Sequence, residues 1–239
     1  RKAEMEIVRT EGLEKIYDLE GVPVHALRGI DISVEKGEYS VIAGPSGSGK
    51  TTLLNMIGAL DNPTDGEVYF EGEPLGQMSR GELSSLRLER IGYVFQANNL
   101  IPVLSAMENV EFTLLLRGVS RSERRERANR VLGELGIADL ADTRPNEMSG
   151  GQQQRVAVAR AMVSDPSLVL ADEPTANLDS KTGASLLDLM ERVNREKGTT
   201  FVFSSHDPQV IERGRRLIRL EDGRISGIET SREEVESGD

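Results

Sequence analysis

The segment Gly44-Pro45-Ser46-Gly47-Ser48-Gly49-Lys50-Thr51-Thr52 admits few backbone solutions and constrains this chain more than any other stretch. Glycines at 44, 47 and 49 let the backbone turn without a Cβ penalty, so successive N–H groups can point into one concavity. An apolar, β-rich run, Tyr39 to Ala43, precedes it, and Leu53, Leu54, Met56, Ile57 and Leu60 follow at the spacing of one helix face. The local order is strand, loop, helix, with the loop at a helix N-terminus, where free amides and the helix dipole attract phosphate. Lys50 adds a point charge for the β- and γ-phosphates of a nucleotide, and Thr51 offers a hydroxyl of the kind a hard magnesium ion takes as ligand.

Length and charge bound the partners. At 239 residues the chain is expected to form one domain with lobes, spanning 1–239. Forty acidic against 29 basic residues leave a formal net charge of -11, which opposes sequence-independent attraction to DNA or RNA, so no nucleic acid partner is expected. With no cysteine there is no disulfide and no thiolate metal site. Arg1 to Glu6 lacks an apolar signal core, and nowhere is there the run of about 18 apolar residues that a membrane span requires, so the chain is expected to be soluble by itself.

In chain order, Glu6 to Thr10 and Gly29 to Val34 read as strands, the second alternating apolar and polar residues as a half-buried strand does. Tyr17 falls between them in a polar, turn-like stretch, as a surface tyrosine or as a ring able to lie against an adenine base. Glu67 to Gly72 reads as a short edge strand and Glu82 to Arg90 as a helix. Ile91 to Phe95 reads as a buried strand that delivers Gln96 at its carboxyl end, where parallel sheets place ligand-binding groups. There a glutamine can coordinate magnesium and hydrogen-bond an attacking water. The apolar loop Asn98 to Leu104 either packs inward or waits for a partner. Helices are expected over Ala106–Gly118 and Ser122–Leu135. The arginines of the second interleave with Glu123 and Glu126, which favours a solvated face with intrahelical pairs. This region, about 97–160, reads as a helical lobe inserted into an α/β core.

Ser149-Gly150-Gly151-Gln152 opens another helix, with Ser149 a natural N-cap, and so offers a second helix N-terminus to an anion. Two phosphate-type helix starts with one lysine cradle invite a site shared between two chains. The buried strand Ser167 to Ala171 ends in Asp172-Glu173-Pro174. Asp172 continues the strand and suits the metal, whereas Glu173, pointing elsewhere, is free to orient and deprotonate water. Asp179 caps the helix Ser180–Lys197 or crosses to a neighbour. The strand Thr200 to Ser204 delivers His206, turned toward the phosphates, and Asp207 caps the helix begun by Pro208. A hairpin, Arg216–Glu221 with Arg224–Glu229, closes the fold around Gly223, and the acidic tail 231–239 is expected to be mobile.

The order GPSGSGKTT, Gln96, MSGGQ, LVLADEP, Asp179, His206 resembles the nucleotide-binding subunits of ABC transporters over nearly the whole chain. The resemblance implies an α/β P-loop NTPase (RecA-like) core with an N-terminal antiparallel β subdomain and an inserted α-helical subdomain. It implies ATP and Mg2+ as cofactors, with Thr51, Gln96 and Asp172 around the metal, Lys50, Gln96, Glu173 and His206 in catalysis, and Tyr17 stacked on adenine. It further implies a head-to-tail homodimer in which Ser149, Gly151 and Gln152 of one subunit complete the site made by Lys50, Asp172 and Glu173 of the other. Finer matches, Gly58 to Thr64, Asn99 to Pro102 and Leu170 to Asp179, look like the Lol-type lipoprotein-release and MacB-type macrolide-export ATPases, with the FtsE type of cell division related. Permease subunits on separate chains and a peripheral position on the cytoplasmic face of the cell membrane are implied with them. Met148, Ala176 and Ser205 depart mildly from the family pattern, and none of them removes a reacting group. Chromosome-organising ATPases of the same kind carry long coiled coils between the two half-sites, and no sustained heptad run separates Lys50 from Ser149 here.

Overall fold

The structure, a computed structural model, describes residues 5–230; the acidic tail lies outside the described residues. Two sheets share the chain. Strands β1 (Glu6–Leu19), β2 (Val22–Glu35), β4 (Asp65–Phe70) and β5 (Glu73–Pro74) form an antiparallel sheet ordered β2-β1-β4-β5. Strands β3 (Tyr39–Ala43), β6 (Ile91–Val94), β7 (Leu168–Asp172), β8 (Thr200–Ser205), β9 (Arg216–Glu221) and β10 (Arg224–Thr230) form the second, ordered β10-β9-β3-β8-β7-β6. All its neighbours run parallel except the terminal hairpin. β3, β7 and β8 are almost continuously buried, the pattern of strands covered on both faces.

Helix α1 (Lys50–Ile57) lies between the sheets and buries Leu53, Leu54, Met56 and Ile57 in a core shared with Ile7, Leu13, Ile30 and Val34 of the hairpin. Burying each of these large side chains is worth about 1.5–3 kcal/mol relative to exposure, enough to fasten the hairpin to the loop before α1. Helix α2 (Arg80–Arg90) starts at a Ser79–Glu82 capping box. A second core joins the other face of the parallel sheet to α3 (Ala106–Leu116), α4 (Arg121–Glu134), α5 (Gly150–Met162) and α6 (Ser180–Lys197). Helix α7 (Pro208–Arg213) is capped by Asp207, as its sequence implies.

Three local expectations change. β1 and β2 run on to a tight turn at Glu20-Gly21, so Tyr17 is a strand residue opposite Val24 rather than part of a loop. β4 is not the sheet edge, because the two-residue β5 covers it. On α4 the Arg127–Glu123 pair at 2.5 Å is intrahelical, but Arg124 donates to the Val119 carbonyl and Arg125 reaches Glu111 on α3. That arginine face therefore helps bind the helical lobe together as well as solvating it.

The loop between β6 and α3 is held rigidly. Asn109, fully buried, accepts from the Ile101 amide at 2.8 Å and donates to the Ile101, Leu104 and Ser105 carbonyls. Arg160 donates to the carbonyls of Asn98 and Asn99, both in left-handed backbone conformations. Leu100 packs on the core while Val103 stands 72% exposed, so the loop both packs inward and presents an apolar side chain.

Candidate active site

Register decides what meets what. Val94 of β6 lies level with Ala171 of β7, Asp172 with Ser204 of β8, and Ala43 of β3 with Ser205. The residues that leave the carboxyl ends of these four neighbouring strands therefore converge on one edge: Gln96, Asp172-Glu173, Ser205-His206 and the glycine loop.

The loop needs its glycines where the backbone crowds. Gly49 adopts φ +104°, and a Cβ there would stand 2.5 Å from the Ala26 carbonyl oxygen. A Cβ on Gly44 would collide with the carbonyl of Leu220. Lys50, 7% exposed, donates from Nζ to the carbonyls of Gly44 (2.8 Å) and Pro45 (3.0 Å), with Glu173 Oε1 at 3.9 Å. Its ammonium is thus held inside the curve of its own loop.

The two carboxylates divide as their positions dictate. Asp172 accepts from Thr51 Oγ1, at 3.1 and 3.0 Å to its two oxygens, and from the Ser204 hydroxyl. Glu173 sits in the left-handed region at φ +44°, a strained conformation for a residue with a side chain, and its amide donates to the Ser204 carbonyl at 2.9 Å. Its carboxylate is held at both oxygens. Oε2 accepts from Ser205 Oγ at 3.0 Å, and Oε1 lies 2.7 Å from His206 Nδ1. The backbone twist turns Glu173 back over the sheet edge, where Ser205 at the end of β8 and His206 just beyond it aim the carboxylate.

A cleft of about 410 Å³ runs from Tyr17, Val24 and His25 on the hairpin, past Ser46, Gly47, Lys50, Thr51 and Thr52, to Gln96, Glu173 and His206. Tyr17 donates its hydroxyl to Asp61 Oδ2 at 3.0 Å. Burial is the main reason its phenol is pushed above the ordinary value. Gln96 is exposed, and its carbonyl accepts from Asn177 Nδ2 at 2.9 Å. The backbone oxygen is thereby tied down, and Gln96 lines the cleft. Thr51, Asp172 and Gln96 supply a hydroxyl, a carboxylate and an amide, oxygen groups of the sort that hold magnesium together with water and phosphate oxygens. Among the described residues no cluster of three or more acidic or histidine side chains forms a protein-only metal cage. A metal that is completed by a nucleotide fits that arrangement.

Ser149, Gly151, Gln152 and Asp179 do not line this cleft. Ser149 Oγ accepts from the Gln152 amide at 3.3 Å while Gln152 Oε1 accepts from the Ser149 amide at 2.8 Å, a reciprocal cap on α5. Asp179 accepts from the amides of Lys181 and Thr182 and from the Thr182 hydroxyl at 2.6 Å, and so caps α6. That hydroxyl and amide hold its carboxyl below the ordinary range. The two helix starts adjoin, with Gly150 beside Asn177 and Leu178 and Gly151 against Thr182. They form a second surface on the same chain.

Several participants escape a reading of the sequence. Ser204 and Ser205 orient the carboxylates, and the only advance signal is two hydroxyls at a strand end. Thr175 donates to Asp207 at 3.0 Å and so links the turn after Glu173 to the cap of α7.

A glycine-rich loop between a parallel strand and a helix, facing an acidic strand end, defines a P-loop nucleoside triphosphatase. The ABC transporter family model matches residues 27–176, and the chain belongs to that family of ATPases. It is 50% identical over 215 residues to an uncharacterized ABC transporter ATP-binding protein of Thermotoga maritima, covering 90% of this chain and 92% of that one. It is 45% identical over 225 residues to the lipoprotein-releasing system ATP-binding protein LolD 1 of Rhodopseudomonas palustris, covering 93% and 99%. Among solved structures it superposes on the dimeric, ADP- and Pi-bound cassette MJ0796 of Methanocaldococcus jannaschii with a TM-score of 0.87, at 43% identity and over 93% and 98% of the two chains.

Proposed function

We propose that this chain is the ATP-binding and hydrolysing subunit of a membrane transporter, that it acts as a head-to-tail homodimer, and that it drives permease subunits carried on separate chains. The observation that carries this reading is the division of the site. One surface of the chain gathers Lys50, Thr51, Gln96, Glu173 and His206 into a cleft, while Ser149, Gly151, Gln152 and Asp179 stand together elsewhere. A second copy brings its capped helix starts to the open side of the cleft, where amides at a helix N-terminus suit the γ-phosphate. Both sites of a twofold pair are then completed at once.

Within each site Lys50 and the loop amides hold the β- and γ-phosphates, and Tyr17 carries the base. Magnesium, when bound through Thr51, Gln96 and Asp172, neutralises charge on the β- and γ-phosphates. Glu173, aimed by Ser205 and His206, takes the proton of the attacking water. His206 and Gln96 orient that water and the terminal phosphate.

Among the described residues no helix is long and apolar enough to cross a membrane, which is consistent with a subunit held peripherally on the cytoplasmic face by its permease. A groove of about 580 Å³ beside the loop after Gln96 suits an incoming helix of that partner. Leu60 and Leu116 on its rim are 45% and 60% exposed, and Arg87 and Arg160 line it. The names of two relatives, the lipoprotein-releasing system ATP-binding protein LolD 1 and a macrolide export ATP-binding/permease protein MacB, favour export or extraction of lipoproteins or macrolides as the work done, with peptides a further proposed cargo.

The test is to purify the chain with its membrane partner and compare basal with partner-stimulated hydrolysis after Val103→Ala and Leu116→Ala. Basal turnover should persist while stimulation and transport are lost. Loss of both in parallel would mean that this surface supports the ATPase itself rather than the coupling to a partner. A partner that stimulates hydrolysis yet moves no cargo would reassign the system to signalling of the FtsE kind.

A further inference from the structure

The segment that leaves α1, Asp61 to Thr64, is laced to the outer half of β1 and lines no part of the cleft. The Thr64 amide donates to the Glu14 carbonyl at 2.8 Å, and the Ile16 amide donates to Thr64 Oγ1 at 3.0 Å. Lys15 Nζ donates to the Asn62 carbonyl at 2.6 Å and pairs with Asp61 Oδ2 at 2.9 Å. The same Asp61 oxygen accepts the Tyr17 hydroxyl. The Lys15 ammonium stands over the Tyr17 ring, 4.9 Å from its centroid. Burial raises the Asp61 carboxyl, but Lys15, the Asn62 amide and the Tyr17 hydroxyl outweigh it, and the net shift is downward. Asp61 is therefore a charged acceptor with three separate donors.

These contacts leave Tyr17 little freedom. Its hydroxyl is anchored and one face of its ring is taken by a cation, so the other face is the one available to the cleft it lines. The anchor sits at the far end of the helix whose N-terminus carries the phosphate loop. We propose that Asp61, supported by Lys15, is a positioning residue for nucleotide binding, one that fixes the Tyr17 ring at a set span from the phosphate cradle. The inference rests on the reading of Tyr17 as the base platform. A ring immobilised before the nucleotide arrives adds less ordering cost on binding, so releasing it should weaken binding about 2- to 10-fold.

The experiment measures kcat, KM for MgATP and the inhibition constant of tripolyphosphate, which has phosphates but no base. It does so for Tyr17→Ala, Tyr17→Phe, Asp61→Ala, Asp61→Asn and the Tyr17→Phe/Asp61→Ala pair. Tyr17→Ala should raise KM most. Tyr17→Phe and Asp61→Ala should each raise it about 2- to 10-fold, with the effect in KM rather than kcat, and the pair should be no worse than either alone. Asp61→Asn keeps an acceptor and should recover most of the loss, and tripolyphosphate should inhibit all variants alike. If Tyr17→Ala raises KM while Tyr17→Phe and Asp61→Ala leave it unmoved, the platform stands and the positioning role falls. Additive effects in the pair, or weakened tripolyphosphate inhibition, would assign Asp61 to the fold alone. An unmoved KM in Tyr17→Ala would remove the platform, and the inference with it.

Discussion

The two helix starts that invite phosphate are built in opposite ways. Around the cradle, side chains from three strand ends interlock across long stretches of sequence. Lys50 reaches Glu173, Thr51 reaches Asp172, and Glu173 is held by Ser205 and His206. At Ser149 the polar groups bond within four residues of one another, and among the described residues the Asp179 carboxylate likewise binds only Lys181 and Thr182. The first region is a site within one chain. The second is a well-capped helix start, and the catalytic part proposed for it depends on what docks against it.

Glu173→Gln should have the largest effect on this contrast. The amide keeps the shape but not the base, so turnover should fall about 10²- to 10⁴-fold while nucleotide binding survives and closed dimers accumulate on a sizing column. Undiminished turnover would take Glu173 out of the mechanism. Ser149→Ala should act more gently and on two readouts. Loss of the cap should cost about 0.5–2 kcal/mol in denaturant unfolding. Hydrolysis should fall while the affinity of a single chain for nucleotide does not change. Weakened binding by the isolated chain would place Ser149 inside the cradle and erase the contrast.

Much of this was legible in the sequence, for identifiable reasons. The phosphate loop, the strand endings at Gln96, Asp172 and His206 and the caps Ser149 and Asp207 depend on short-range rules of turn, cap and period, which act over a few residues. Relations across the sheet were not legible. Ser205 meets Glu173 only because parallel register sets Asp172 level with Ser204, and the left-handed twist at Glu173 carries no residue signature. Tyr17 reads as a turn residue because Glu14, Lys15 and Asp18 hide the strand alternation. Its place in β1 comes from pairing with β2 and from the Asp61–Thr64 lacing, both of which are tertiary. The arginines of α4 show the same limit: helical spacing predicts the Glu123–Arg127 pair, whereas the reach of Arg125 to Glu111 depends on how α3 and α4 pack.

The central claim is that one chain holds the nucleotide and a second chain makes it react. Hydrolysis per chain, followed from dilute to concentrated protein at saturating MgATP with the oligomeric state recorded at each point, tests it most directly. Specific activity should rise with the fraction of dimer and vanish as the monomer takes over. Equal turnover per chain in a solution that is monomeric throughout would contradict it.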